Sequence, residues 1–129
     1  MLHNPDDLRY TKTHEWVRTQ DDGIEIGITD FAQRQLSDIT YVELPELSLH
    51  LNAGEEAVVV ESIKAASDVY APIAGTIVEV NEALADKPEV INADPFGAGW
   101  LFRMKPDHTD DVNTLLSAEA YEANLPAEH

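Results

Sequence analysis

Glu61-Ser62-Ile63-Lys64-Ala65-Ala66-Ser67-Asp68 decides how this chain folds on paper, because it sets one lysine at a turn between two β-like runs. Ala57-Val58-Val59-Val60 leads into it, and Ala71-Pro72-Ile73-Ala74-Gly75 follows as turn material. Between Gln35 and Asp86, Lys64 is the only lysine or arginine, in company with ten carboxylates. Surface lysines ordinarily scatter among acids, each exposed pair contributing about 0–1 kcal/mol. That role does not ask for one isolated amine, so Lys64 reads as a group on display.

Working outward, Ile24, Ile26 and Ile28 alternate with Glu25, Gly27 and Thr29, a period of two that puts three isoleucines on one face of a strand. Asp21-Asp22-Gly23 supplies a turn before it, and His14-Glu15-Trp16-Val17-Arg18 is predicted as the partner strand of a hairpin. Thr29 or Asp30 is placed to cap a short helix, with Phe31, Arg34 and Leu36 near one side. From Thr40 to Ile91 the texture is β, with runs at Tyr41–Leu44, Ala57–Ile63 and Thr76–Val80 separated by Pro45, Asn52-Ala53-Gly54, Pro72, Gly75, Asn81 and Pro88. Short strands with regular punctuation predict a sandwich or barrel. Thr40–Glu46 echoes Thr76–Glu82, as two related halves or a chance likeness of β segments would both allow. Trp100–Met104 is predicted as a late core strand, and Leu115, Leu116, Ala120 and Tyr121 predict a C-terminal helix capped by Ser117 and stopped by Pro126.

At 129 residues, 43% of them hydrophobic, the chain suits one domain with a real core. Its apolar runs are too short to cross a bilayer. The acidic Met1–Asp7 segment has neither a secretory apolar stretch nor the Arg-rich character of a transit peptide, so a cytoplasmic protein is expected. Without cysteine there is no disulfide, thiolate metal site or cysteine nucleophile, and any sulfur redox chemistry must arrive on a cofactor. A net charge of -17 argues against nucleic acid and anionic membranes. It serves solubility or the docking of basic partners equally well.

A lysine shown at a β-turn in an acidic protein without cysteine is a carrier arrangement: its amine can be acylated, turning a cationic stem into a long neutral arm on a rigid mount. Here the chain resembles the H proteins of the glycine cleavage system. Tyr10–Val17, Gly27–Gln33, Tyr41–Pro45, Glu61–Asp68, Asn92–Leu101 and Leu115–Tyr121 carry the resemblance, in family order and across almost the whole sequence. It implies a mainly β fold, a hybrid barrel-sandwich of two antiparallel sheets like the lipoyl and biotinyl carriers, with a short internal helix and a C-terminal helix. Residues 1–129 would form one lipoyl-carrier domain, with an N-terminal arm at 1–12, a β core bearing the lysine hairpin at 13–107, and a helical segment at 108–129.

The resemblance further implies lipoate in amide linkage on Lys64, with Glu61, Ser67 and Asp68 as motif context, and a non-catalytic carrier role. The aminomethyl group of glycine would pass from a pyridoxal-phosphate decarboxylase (P protein) to a folate-dependent aminomethyltransferase (T protein), and electrons to dihydrolipoyl dehydrogenase (L protein). Lipoate-attaching enzymes are the other implied partners, and a monomer is expected. Thr13, Glu15 and Asp68 fall where the family parks the loaded arm in a cleft, unless Glu15 and Asp68 are simply two of 25 acids on a solvated face. Ser37 stands where the family usually has glycine, and Leu47-Ser48-Leu49-His50 replaces a segment that usually carries one, which questions local turn geometry away from the hairpin.

The five histidines, at 3, 14, 50, 108 and 129, have no ligand-like spacing, and His14 is better taken as a structural residue or cleft wall. Trp16 and Trp100 are expected in the core. A biotin carrier would flank its lysine with methionines, where Ile63 and Ala65 stand here, and a 2-oxo acid dehydrogenase lipoyl domain would be shorter and joined to a linker. The remaining alternative is an H-like protein that relays lipoyl groups to other enzymes.

Overall fold

The computed structural model describes residues 4–125. Strands β1 (Arg9–Tyr10), β2 (Glu15–Gln20) and β3 (Gly23–Ile28) form an antiparallel meander, and helix α1 (Asp30–Leu36) follows. Next come β4 (Ile39–Glu43), β5 (His50–Leu51), β6 (Glu56–Ser62), β7 (Ala66–Tyr70) and β8 (Gly75–Val80). Two single-turn helices, α2 (Ala83–Asp86) and α3 (Val90–Ala93), lead to β9 (Phe102–Pro106), a 3-10 turn at Thr109–Thr114 and α4 (Ala118–Ala123). The strands make two antiparallel sheets, β1-β2-β3-β9-β8-β5 and β4-β6-β7, without a closed barrel among the described residues. The mainly β, two-sheet architecture is therefore as expected, and Arg9–Tyr10, within the segment assigned to an arm, is an edge strand of the larger sheet.

The core follows from the period of two. Ile24, Ile26 and Ile28 meet Val58, Val60 and Val69 of the smaller sheet, joined by Ile77, Phe102 and Met104. On the opposite face, Trp16 packs with Leu8, Tyr10 and the α4 residues Ala118 and Tyr121. Gly27 lies across from Trp16, and a Cβ there would come within 2.5 Å of the indole ring. Glu25, on that same outer face, is buried between Arg18 and Arg103, each 2.7 Å from a carboxylate oxygen. Both guanidiniums lie over tryptophans, Arg18 over Trp16 and Arg103 over Trp100.

Several local expectations need correction. Leu84 and Ile91 sink into the core from α2 and α3, so Ala83–Asp86 and Val90–Ala93 are helical turns where β texture was expected. In α1 the buried residues are Gln33 and Leu36, while Arg34 stays exposed beside Asp30. Trp100 is only partly buried, packed against the Trp16 cluster on one side and covered by Arg103. The echoing segments fall in different sheets, β4 in one and β8 in the other. Thr29 and Ser117 do cap α1 and α4, accepting from Ala32 N and Ala120 N. Pro126, His3 and His129 lie outside the described residues.

Candidate functional site

Lys64 occupies the tip of the β6–β7 hairpin, whose register pairs Glu61 with Ala66, Val60 with Ser67 and Val59 with Asp68. The Ser62 hydroxyl staples this tip. It accepts from Lys64 N at 3.3 Å and Ala65 N at 3.1 Å and donates to Ala65 O, while Ser62 N donates to that same carbonyl at 2.8 Å. Ile63 N is tied to Asp38 O at 3.1 Å, which anchors the tip to the segment between α1 and β4. Lys64 and its neighbours Ile63 and Ala65 are exposed, and among the described residues no ion pair involves Lys64.

A few residues down β7 from that tip, a cavity of about 240 Å³ opens between the hairpin, α1 and the start of β2. Thr13, Glu15, Ser67 and Asp68 line its polar side. Ile28, Phe31, Ala32, Leu36 and Val69 line the apolar side. Four of the site residues singled out by sequence, two around the start of β2 and two on β7, are thus brought together. Glu61 is not among them: it sits exposed on β6, its carbonyl accepting from Thr40 Oγ1.

Glu15 is 1% exposed, with donors on both carboxylate oxygens. Thr11 and Thr13 hydroxyls both donate to its Oε1, and the Tyr70 N–H donates to Oε2 at 3.3 Å. Burial raises its pKa above the ordinary 4.5, against the lowering effect of these donors. Asp68 is half-buried. A second, shallower hollow of about 390 Å³, lined by Thr11, Gly54, Tyr70 and Pro72 among others, reaches Thr13 and Glu15 from the opposite side.

The loop that delivers these groups was misplaced by sequence. Tyr10 pairs with Trp16, so Lys12, Thr13 and His14 belong to a tight β1–β2 connection, and β2 begins only at Glu15. His14 closes the loop in the left-handed region, φ 74, a position that three-residue hairpin loops commonly give to glycine. Its ring becomes a cavity wall, 4.7 Å from Phe31 between ring centroids. Thr11 was missed as a partner of Glu15. Its signal was present, since residues on either side of a short hairpin loop face each other across the turn.

An exposed lysine on a stapled tip, beside a cleft that is apolar on one side and acidic on the other, suits a tethered acyl arm with a cationic end. The family described as Glycine cleavage H-protein matches residues 8–128. The chain belongs to the glycine cleavage H-protein family. The Glycine cleavage system H protein of Psychrobacter sp. (strain PRwf-1) is 56% identical over 126 residues, 97% of this chain and 100% of its own length. That of Pseudoalteromonas atlantica is 54% identical over 129 residues, covering 99% of this chain and all of its own. The crystal structure of a glycine cleavage system H protein from Mycobacterium marinum matches with a TM-score of 0.86 and 41% identity, over 93% of this chain and 97% of that one. H proteins of glycine cleavage are lipoyl carriers, so the family resemblance on which the fold and carrier expectations rested holds across nearly the full chain.

Proposed function

We propose that this protein is the lipoyl-bearing shuttle of a glycine cleavage system, with lipoate in amide linkage on Lys64. The observation that carries this reading is the common hairpin: β6 and β7 hold Lys64 at their tip and present Ser67 and Asp68 to the cavity that also contains Glu15. When bound, lipoate supplies a cyclic disulfide, at once an electrophile and a two-electron acceptor, which no side chain of a cysteine-free protein offers.

The chain's own residues mount, receive and shield. The Ser62 staple keeps the backbone at Lys64 still while the side chain remains free. Ile28, Phe31, Leu36 and Val69 give an acyl chain apolar surface, and Thr13, Glu15 and Asp68 give a cationic amine its hydrogen-bond acceptors. The apolar lining around these acceptors limits bulk water at such an amine, which protects it against hydrolysis in transit. Glu61 and Ser67, exposed beside the tip, are available to a lipoate-attaching enzyme.

Family membership supports the decarboxylase, the aminomethyltransferase and dihydrolipoyl dehydrogenase as partners, and a carrier that itself makes and breaks no bond in the substrate. Among the described residues no helix is long and apolar enough to cross a membrane, and the bacterial relatives support a cytoplasmic shuttle. The lipoyl-relay alternative is not favoured, because it gives no role to the buried acid beside the arm.

Intact mass measurement and peptide mapping of protein from lipoate-replete cells test the assignment. One lipoyl adduct on Lys64, lost in Lys64→Arg, is expected, and an unmodified Lys64 would remove the proposal. Reconstitution with a glycine decarboxylase then separates the shuttle, which accepts the aminomethyl group, from a relay, which does not.

A further inference from the structure

His14 joins the cavity to the C-terminal helix. Its Nδ1 lies 2.8 Å from Tyr121 Oη, which lies 2.7 Å from Thr29 Oγ1. Proton counting fixes the direction of this chain. Thr29 is fully buried and its Oγ1 already accepts the Ala32 N–H, so its hydroxyl proton needs an acceptor, and Tyr121 Oη is the one in reach among the described residues. Tyr121 then directs its single proton at His14 Nδ1. With Nδ1 an acceptor, the proton of the neutral imidazole sits on Nε2. The reverse order strands the Thr29 proton in a dry site, disfavouring the other tautomer by about fivefold or more. Burial also shifts the His14 pKa downward, in the direction that favours the neutral ring. Among the described residues Nε2 has no hydrogen-bond partner and is not a fully buried unpaired atom, a condition found only at Asn4 Oδ1, away from this site. The open space that His14 lines is the cavity of Glu15 and Asp68.

We propose that His14 is a positioning residue for the reduced lipoyl arm, a neutral Nε2–H donor to an arm sulfur whose tautomer is set by the Thr29–Tyr121 chain. This rests on lipoate at Lys64. The carboxylates of Glu15 and Asp68 suit the cationic end of a guest and repel a sulfur that carries negative charge. A neutral N–H offsets that repulsion, where an imidazolium would oppose the amine. The left-handed backbone of His14 and the Phe31 ring hold the imidazole in this place.

Nitrogen NMR of the unlipoylated protein reads the tautomer without any cofactor. The Nε2–H form is expected, and Tyr121→Phe, which keeps the ring stacked 4.8 Å from Tyr10 but removes the oxygen, should lower its excess by about fivefold or more. An Nδ1–H form, or a ratio unchanged in Tyr121→Phe, overturns the proton chain. In the lipoylated, reduced protein, thiolate absorbance against pH should show the arm thiolate fraction falling about threefold or more in His14→Asn, a residue that tolerates the left-handed backbone. An unchanged titration overturns the sulfur contact. Absence of the lipoyl mass at Lys64 would remove that contact together with the function proposed above, while the tautomer result would stand by itself.

Discussion

Glu15 Oε2 accepts the Tyr70 N–H at 3.3 Å, joining the first residue of β2 to the last of β7 across 55 positions of sequence. Each strand belongs to a different sheet, so one carboxylate both forms the acidic end of the cavity and ties the lysine hairpin to the larger sheet.

Removing the acids should shorten the life of the loaded arm. A charge-assisted hydrogen bond contributes about 1.5–3 kcal/mol, so Glu15→Ala with Asp68→Ala should speed loss of formaldehyde and ammonia from aminomethylated protein by about tenfold or more. The release rate after stopping the decarboxylase measures it, and an unchanged rate would sink the cleft assignment.

Glu15 and His14 act oppositely on stability as pH changes. Burial raises Glu15 above 4.5, so the folded protein holds that proton longer than the unfolded chain, and its contribution is full below 4.5 and lost as pH rises through the folded value. Burial lowers His14 below 6.5, so its contribution is full above 6.5 and lost as pH falls through its folded value. Melting temperature against pH should lose its downward slope in Glu15→Gln on the rising side and lose its acid-side drop in His14→Asn. Slopes identical to those of the unsubstituted protein would contradict both assignments.

Gly27→Ala should destabilise by about 1–3 kcal/mol, because the added methyl collides with Trp16, whose Nε1 is held by Pro95 O at 2.9 Å. Denaturant unfolding reads this directly, and a neutral result would mean that the indole can move.

Ser37 (φ 65, ψ -147) and Ser48 (φ 69) hold positive-φ backbones that cost a side chain about 1–3 kcal/mol. Glycine returns part of this as lost backbone entropy, so Ser37→Gly and Ser48→Gly should each stabilise by about 0.5–1 kcal/mol. A fall in the denaturation midpoint on either substitution would refute the strain.

Docking of the acidic surface on a basic partner should weaken as salt rises, because exposed charges are screened beyond about 8 Å at physiological ionic strength. If the association rate with the decarboxylase is flat in salt, the charge of -17 serves solubility alone.

The β2–β3 and β6–β7 hairpins and the α1 and α4 caps were legible because period two, turn residues and capping hydroxyls act locally. The departures at Ser37 and at Ser48 also pointed, by resemblance, to two turns that prove to hold a positive φ. What sequence concealed depends on distant partners. Arg18, opposite Glu25 in the predicted hairpin, supplies only half of its cover, and the rest needs Arg103 from β9. Leu84 and Ile91 turn their segments helical because each has one buried site to fill, a tertiary demand that overrides the surrounding pattern. Thr13, Glu15 and Asp68 were nominated by resemblance, whereas the apolar lining of the cavity, Phe31 and Leu36 above all, emerges only when α1 and β7 come to border the same hollow.

The Ser62 staple makes the hairpin tip a fixed pivot. A lipoyl arm on Lys64, as proposed, would be anchored at a still point and would sample a small volume beside its own cleft, at an effective concentration on the order of millimolar. Whether the arm is sheltered or offered is then settled within each molecule, at a ratio that dilution cannot change. A partner enzyme succeeds by competing with a neighbour that is never farther away than the length of the tether.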